Sequence, residues 1–303
     1  MPIDLISPLR QTMQDRMRSA VSGSGFPFEQ YTDPPGDPGL FGPDSVAWRI
    51  HADEAVGIGG IAALMLQTLH PLAMAGVAEH SNYREAPLER LARTGAFVRG
   101  TVFGSTEVAE RMVATVRRVH KRVVGVAPDG RPYSASDPDL LRWVHTVETS
   151  SFVRAHRRYA VSPVRGADID RYFAEMAVVA EKLGATDVPR SRADVRDYFA
   201  EVRPALAKTE EVIRTIDFLT HPATGSPPID GALRVMALAA IDLVPEWGRR
   251  LLDLGTNRVV ELSAIRPAAW ALLTAARVTF GVPQPVSEAR ARCAAGEACR
   301  RAG

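Results

Sequence analysis

At 303 residues, 46% of them hydrophobic and 24% charged, with a formal charge of +2, the chain can bury a large core and is too nearly neutral to cling to a phosphate backbone. Its basic residues are almost all arginine, Lys121, Lys182 and Lys208 being the only lysines, so no lysine-rich nucleic-acid face is expected. The two cysteines, Cys293 and Cys299, are separated by five residues rather than the two of a redox or zinc pair, which argues against structural disulfides and thiolate metal sites.

Charges are scattered through the first thirty residues and no apolar run reaches signal-peptide length. The longest apolar stretches, Ile61–Leu69 and Ala268–Ala276, are shorter than a membrane span, so the expectation is a cytoplasmic chain with no transmembrane segment.

In chain order, residues 1–41 are expected to form an N-terminal helix and an extended arm, the arm because residues 22–47 are rich in glycine and proline. Residues 42–282 read as one helical domain, since apolar residues recur at three and four rather than two and no strand pair stands out. Asp53 has the chemistry of an N-cap for a helix running toward Leu69, and Gly57, Gly60 and Ala63 leave one side of it nearly bare. His70-Pro71 predicts a kink or a new helix, because proline disfavours helical geometry in the residue before it. Helices are then expected near 87–102, 105–124, 137–160, 168–184, 191–216, 230–244, 246–253 and 266–278. The 268–278 helix is expected in the core, the other reading being an exposed apolar face that pairs with a second copy, as in a homodimer, or with a membrane surface. From 283 onward a loosely attached tail is expected.

The chemistry concentrates in residues 88–124. In AERMVATVRRVHKRVVG, Val113, Val116, His120, Val123 and Val124 share one helical face, so His120 is expected to point into the core as a neutral imidazole, the form that ligates a metal. A hydrogen-bonded core histidine is the other reading. In LERLARTGAFVRG, Arg90 and Thr94 stack four apart with Arg93 beside them, as anion and oxygen donors or as a solvated face. His145 and Glu148 lie three apart on an apolar face and read equally as a polar pair beside a cofactor or a structural pair. His70 could face the same pocket, and His70 and His145 are the reserve ligands. His51, after Trp48-Arg49, either packs over a cofactor edge or anchors the arm, while His80, His156 and His221 read as structural or loop residues. No Glu-x-x-His pair for a di-iron bundle, no Gly-x-Ser-x-Gly elbow, no phosphate-binding loop and no Cys-x-x-Cys-His is present.

GPDSVAWRIHADE (42–54), LHPLAMAGVAEHS (69–81), Arg90-Leu-Ala-Arg93-Thr94 followed by VFGS (102–105), VRRVH (116–120) and LRWVHTVETSSFVRAHRRYA (141–160) together resemble the domain of unknown function 2236. That domain is shared by latex-clearing rubber oxygenases and mpaB-type oxygenases, and the resemblance covers about residues 40–280. It implies an all-α, globin-like arrangement around a buried b-type haem. It further implies an oxidoreductase that uses dioxygen on a small or medium apolar organic substrate. His120 falls at the place of the axial iron ligand, and Arg90 and Thr94 match the family's arginine and threonine. Arg93 stands where the rubber oxygenases carry a lysine; guanidinium is never the neutral amine that ligates iron, so no lysine-capped resting state is implied. Glu79 and Glu85 are the candidates for the family's upstream base, the role falling to Glu79. Two rival functions stay open at this point, a non-catalytic helical protein that carries haem or lipid and a di-iron hydroxylase.

Overall fold

The computed structural model describes residues 31–80, 87–255 and 257–302, and the side chains of all of these except 87–92 and 296–302. The predicted N-terminal helix, the first part of the arm, Glu85, and the side chains of Arg90 and Cys299 therefore lie outside the described residues.

Residues 32–45 run in turns and bends, and Tyr31 is buried. Ser45 then caps α1 (Val46–His51), its side chain accepting from the Trp48 amide. Asp53 Oδ1 accepts from the Ala55 amide at 2.8 Å at the start of α2 (Ala55–Gln67). After His70, α3 (Pro71–His80) leaves α2 at 106°, the bend that the His-Pro step predicts. α4 (Pro87–Phe103) and α5 (Thr106–His120) pack on each other, with Ser105 capping the second.

α6 (Pro138–Tyr159) is the longest helix within the core. Asp137 caps it, and fourteen of its 22 residues are buried. α2 makes its most extensive contact with α6, and α10 (Pro227–Leu243) also packs on α2. Glycine makes this close approach possible: a Cβ on Gly59 would stand 3.1 Å from Ala155 Cβ, from Phe152 Cδ1 and from the Ser151 carbonyl. α7 (Ala167–Leu183) covers α1, α5 and α6, and α8 (Arg192–Val202) packs beside it. One large apolar cluster runs from Tyr31 to Ala289.

Several expectations are corrected. The helix expected over 191–216 is two, because Pro204 ends α8 in a short turn (Arg203–Ala205) before α9 (Glu210–Thr220). A small antiparallel hairpin is present: β1 (Val124–Val126) pairs with β2 (Pro132–Ser134), Gly125 opposite Tyr133. Three-residue strands are too short to show an alternating pattern. After α11 (Glu246–Leu252), the helix expected at 266–278 belongs to a longer α12 (Arg258–Phe280) with a π-helical segment at Glu261–Ile265. It is not a core helix: between Arg266 and Phe280 only Ala269 and Leu273 are buried. The tail from 283 is not loose either. It forms α13 (Gln284–Ala302), with Val286, Ala289 and Arg292 buried and Cys293 packed against the core.

Candidate functional site

α5 ends at His120, so the valine stripe is cut short. Val113 is buried and Val116 half-buried, while Val124 belongs to β1 and is 53% exposed. His120 is accordingly half-buried at the end of its helix rather than deep in the core, and that burial still lowers its pKa and favours the neutral ring. On α4, Arg93 and Thr94 are exposed and Ala96 is buried.

The reserve histidines are more deeply placed. His70, at the α2–α3 bend, is buried with its ring 6.0 Å from that of Trp143, and its Nδ1 has no hydrogen-bond partner. Burial, followed by the charge of Arg131, pulls its pKa down. His145 is buried on α6, where desolvation lowers its pKa to about 4. Glu148, one turn further along the helix, accepts from Gln67 Nε2 at 3.3 Å, so it links α6 to α2. Both rings are neutral at physiological pH, with a lone pair on one nitrogen.

Glu79 and His80 end α3 against the hairpin. The Tyr133 hydroxyl donates to Glu79 Oε2 at 2.5 Å, and His80 Nε2 lies 3.1 Å from that hydroxyl and 3.2 Å from the Val124 carbonyl. A carbonyl can only accept, so His80 carries its proton on Nε2. Desolvation and the bond to Glu79 push the Tyr133 pKa up to about 12. Glu79, the expected base, is therefore an exposed carboxylate already engaged by a phenol that stays protonated.

One further buried group escapes the sequence reading, and His51, expected either to pack over a cofactor edge or to anchor the arm, is itself buried. His51 Nε2 is paired with the Tyr172 hydroxyl at 2.9 Å, its Nδ1 is unpartnered, and burial with the nearby His156 lowers its pKa to about 3. Arg154, on α6, has a buried Nη1 with no partner, and desolvation, with Arg157 adding repulsion, lowers its pKa to about 10. A long periodic helix signals that its residues can be buried, but not that an arginine among them lacks a counter-ion. His156 is structural as expected, its Nδ1 accepting from the Val164 amide at 3.2 Å.

Two described cavities, of about 410 and 300 Å³, lie elsewhere. The larger is lined by Asp53, Glu54, Arg277, Val282 and Arg290 among others, the smaller by His221, Pro222, Asp230, Gly231 and Arg234. Among the described residues no group of three or more His, Cys, Asp or Glu side chains is placed to hold a metal, so the di-iron alternative finds no ligand set there.

Residues 48–278 match the protein family described as "ER-bound oxygenase mpaB/B'/Rubber oxygenase, catalytic domain". The chain belongs to this family. Its multi-helical fold agrees with that membership, and the membership supports an enzymatic, oxidoreductase role. No curated protein and no solved structure matches the chain. The family description also overturns the expected cytoplasmic setting, because it names an ER-bound, membrane-associated oxygenase. α12, with 23 residues, reaches the length and apolarity of a membrane span by length and composition only, and no clear transmembrane span is seen among the described residues, in line with the expectation. The π-helical segment joins stretches that read as separate in the sequence.

Proposed function

We propose that this chain is a haem b-dependent oxygenase that acts at a membrane, with dioxygen, on a small or medium apolar organic molecule. What supports this reading, beside the family match, is the chemistry of the buried donor groups. Buried neutral imidazoles, two of them, His51 and His70, with an unpartnered Nδ1, suit the iron, and the Arg154 guanidinium, whose buried Nη1 has no partner, suits a propionate.

His120 would hold the haem iron, with His70 or His145 as alternates. When bound, the haem supplies the dioxygen activation and the protein supplies position and polarity. Arg90 and Arg93 would hold carboxylates by charge-assisted bonds, as would Arg154 from within α6. The Thr94 hydroxyl would donate to negative charge developing on a substrate-side oxygen, an interaction that strengthens when water is excluded. Glu79 would take a proton at Oε2, the atom to which Tyr133 already donates, so the phenol tunes and orients that carboxylate.

The test is oxygen uptake by protein produced with a haem precursor, across a panel of apolar alkenes, terpenoids and aromatics. Substrate-dependent uptake is expected, with Thr94→Ala lowering kcat roughly a hundredfold while leaving haem content unchanged. A haem-loaded parent that consumes no oxygen with any substrate would instead make this a non-catalytic haem or lipid carrier.

A further inference from the structure

We propose that the outward face of α12 is a lipid-docking surface, on which the chain sits with this helix lying in the plane of an anionic bilayer. The proposal rests on the membrane setting proposed above and names the surface responsible.

α12 carries four charged residues, and three of them are drawn inward. Glu261 is buried, Arg266 grips Asp242 through two bonds of 2.9 Å, and Arg277 Nη2 reaches Asp53 at 2.8 Å and the Tyr159 carbonyl at 2.8 Å. What remains outside, from Val259 to the following Val282, bears no charge. Val259 and Val278 are each 72% exposed, and Leu262, Trp270 and Val282 join them. Water-facing helices ordinarily carry their charges outward, and a continuous exposed apolar face marks an interaction surface.

Charge and shape favour lipid over a second copy of the chain. Arg258, whose Nη1 faces Asp242 at 3.6 Å and Glu261 at 3.3 Å, is exposed at one end of the helix, and Arg290 is exposed beside Val282 at the other. α12 offers no exposed carboxylate, so a two-fold pairing along this face would set arginine toward arginine. Anionic headgroups match both ends. Trp270, 42% exposed with its ring 5.8 Å from the Arg277 guanidinium, is the amphipathic residue type that settles at a membrane boundary. At 1.5 Å per residue the helix is about 34 Å long, a large footprint for an interfacial element.

The experiment uses the full haem-loaded chain and vesicles of roughly three parts phosphatidylcholine to one part phosphatidylglycerol. The parent should float with the vesicles, and Trp270→Glu combined with Val278→Glu should lower partitioning by about tenfold or more. Trp48 and Trp143 are buried and Trp247 is packed against Phe199 and Arg203, so lipids brominated on the acyl chains should quench the parent's emission more than plain lipids do, and Trp270→Phe should remove most of that difference. A parent that ignores vesicles, or a double variant that binds as well as the parent, overturns the proposal. So does light scattering that shows a dimer broken by the double variant, which gives the face to a second copy. The absorption spectrum and oxygen uptake on detergent-dispersed substrate are read from the same samples. Loss of vesicle binding with those intact defeats the docking surface alone, and vesicle binding without them defeats the oxygenase reading alone.

Discussion

Arg292→Met is expected to destabilise the chain by about 4 kcal/mol and to lower Tm by roughly 6–12 °C. Arg292 lies on α13 yet is 2% exposed, because its guanidinium is spent on backbone carbonyls from three distant stretches. Nε donates to Asp37 at 2.8 Å, Nη1 to Tyr31 at 2.7 Å, and Nη2 to Phe103 at 2.9 Å and Gly104 at 3.2 Å. The Gly36 amide returns a bond to the Arg292 carbonyl at 2.7 Å. The joint is so tight that a Cβ on Gly39, which has φ +70°, would fall 2.3 Å from the Gly104 carbonyl. Methionine fills similar space and donates nothing, leaving several desolvated carbonyls that cost roughly 1–3 kcal/mol each before relaxation. Lysine has three donors and no fork, so Arg292→Lys should recover only part of the loss. Thermal unfolding followed by circular dichroism measures both; a Tm shift under about 2 °C for the methionine variant would show that the staple carries little. The staple also ties down the α4–α5 joint, so the helices bearing Arg90, Thr94 and His120 should loosen with it.

The second large effect is expected at Asp242, whose buried carboxylate gathers Arg158, Arg266 and, at 3.6 Å, Arg258. These contacts pin α12 to α10 and α6. Burial works against the charge, but the bonds from Arg266 and Arg158 outweigh it and hold the carboxyl below its usual value of 3.8. Asp242→Asn keeps the shape and removes the charge, leaving guanidiniums that are only partly hydrated. A loss of about 2–4 kcal/mol is expected at pH 7, discounted from the fully buried case because Arg158 remains partly exposed. The sign of the pH dependence follows from the lowered pKa. Stability supplied by Asp242 is fully present above the unfolded value and is lost as pH falls through the folded one. Urea unfolding of parent and variant should therefore differ most above about pH 4 and converge below it. A gap that stays constant down to pH 2 would mean that the carboxylate charge is not what the variant removes.

Much of the helical frame was legible because it is written locally. Ser45, Ser105, Asp137 and Ser191 sit just before helices whose first amides they accept from, and the His70-Pro71 step turns the chain. What could not be read depends on partners far away in sequence. An arginine in a polar tail such as Arg292 looks like surface until the carbonyls it serves are brought to it. α12 looks like core because its apolar run is visible, whereas the inward turn of Arg266 and Arg277 depends on Asp242 and Asp53. The candidate site divides in the same way. The apolar stripe around His145 foretold its burial, and the proline after His70 foretold its place at a bend. The pairing of Tyr133 with Glu79, 54 residues apart, and of His51 with Tyr172, 121 apart, has no local signal. The helical period, carried past His120 where α5 ends, predicts a deeper His120 than the half-buried one observed.

The most direct test of the account is the absorption spectrum of the protein produced with a haem precursor, beside His120→Ala, His70→Ala and His145→Ala. The account predicts a strong Soret band in the parent, shifted or lost in His120→Ala and kept in the other two. A parent with ample haem supplied and no Soret band would contradict the oxygenase reading, and a band indifferent to His120 but lost with His70 or His145 would move the iron to that ring.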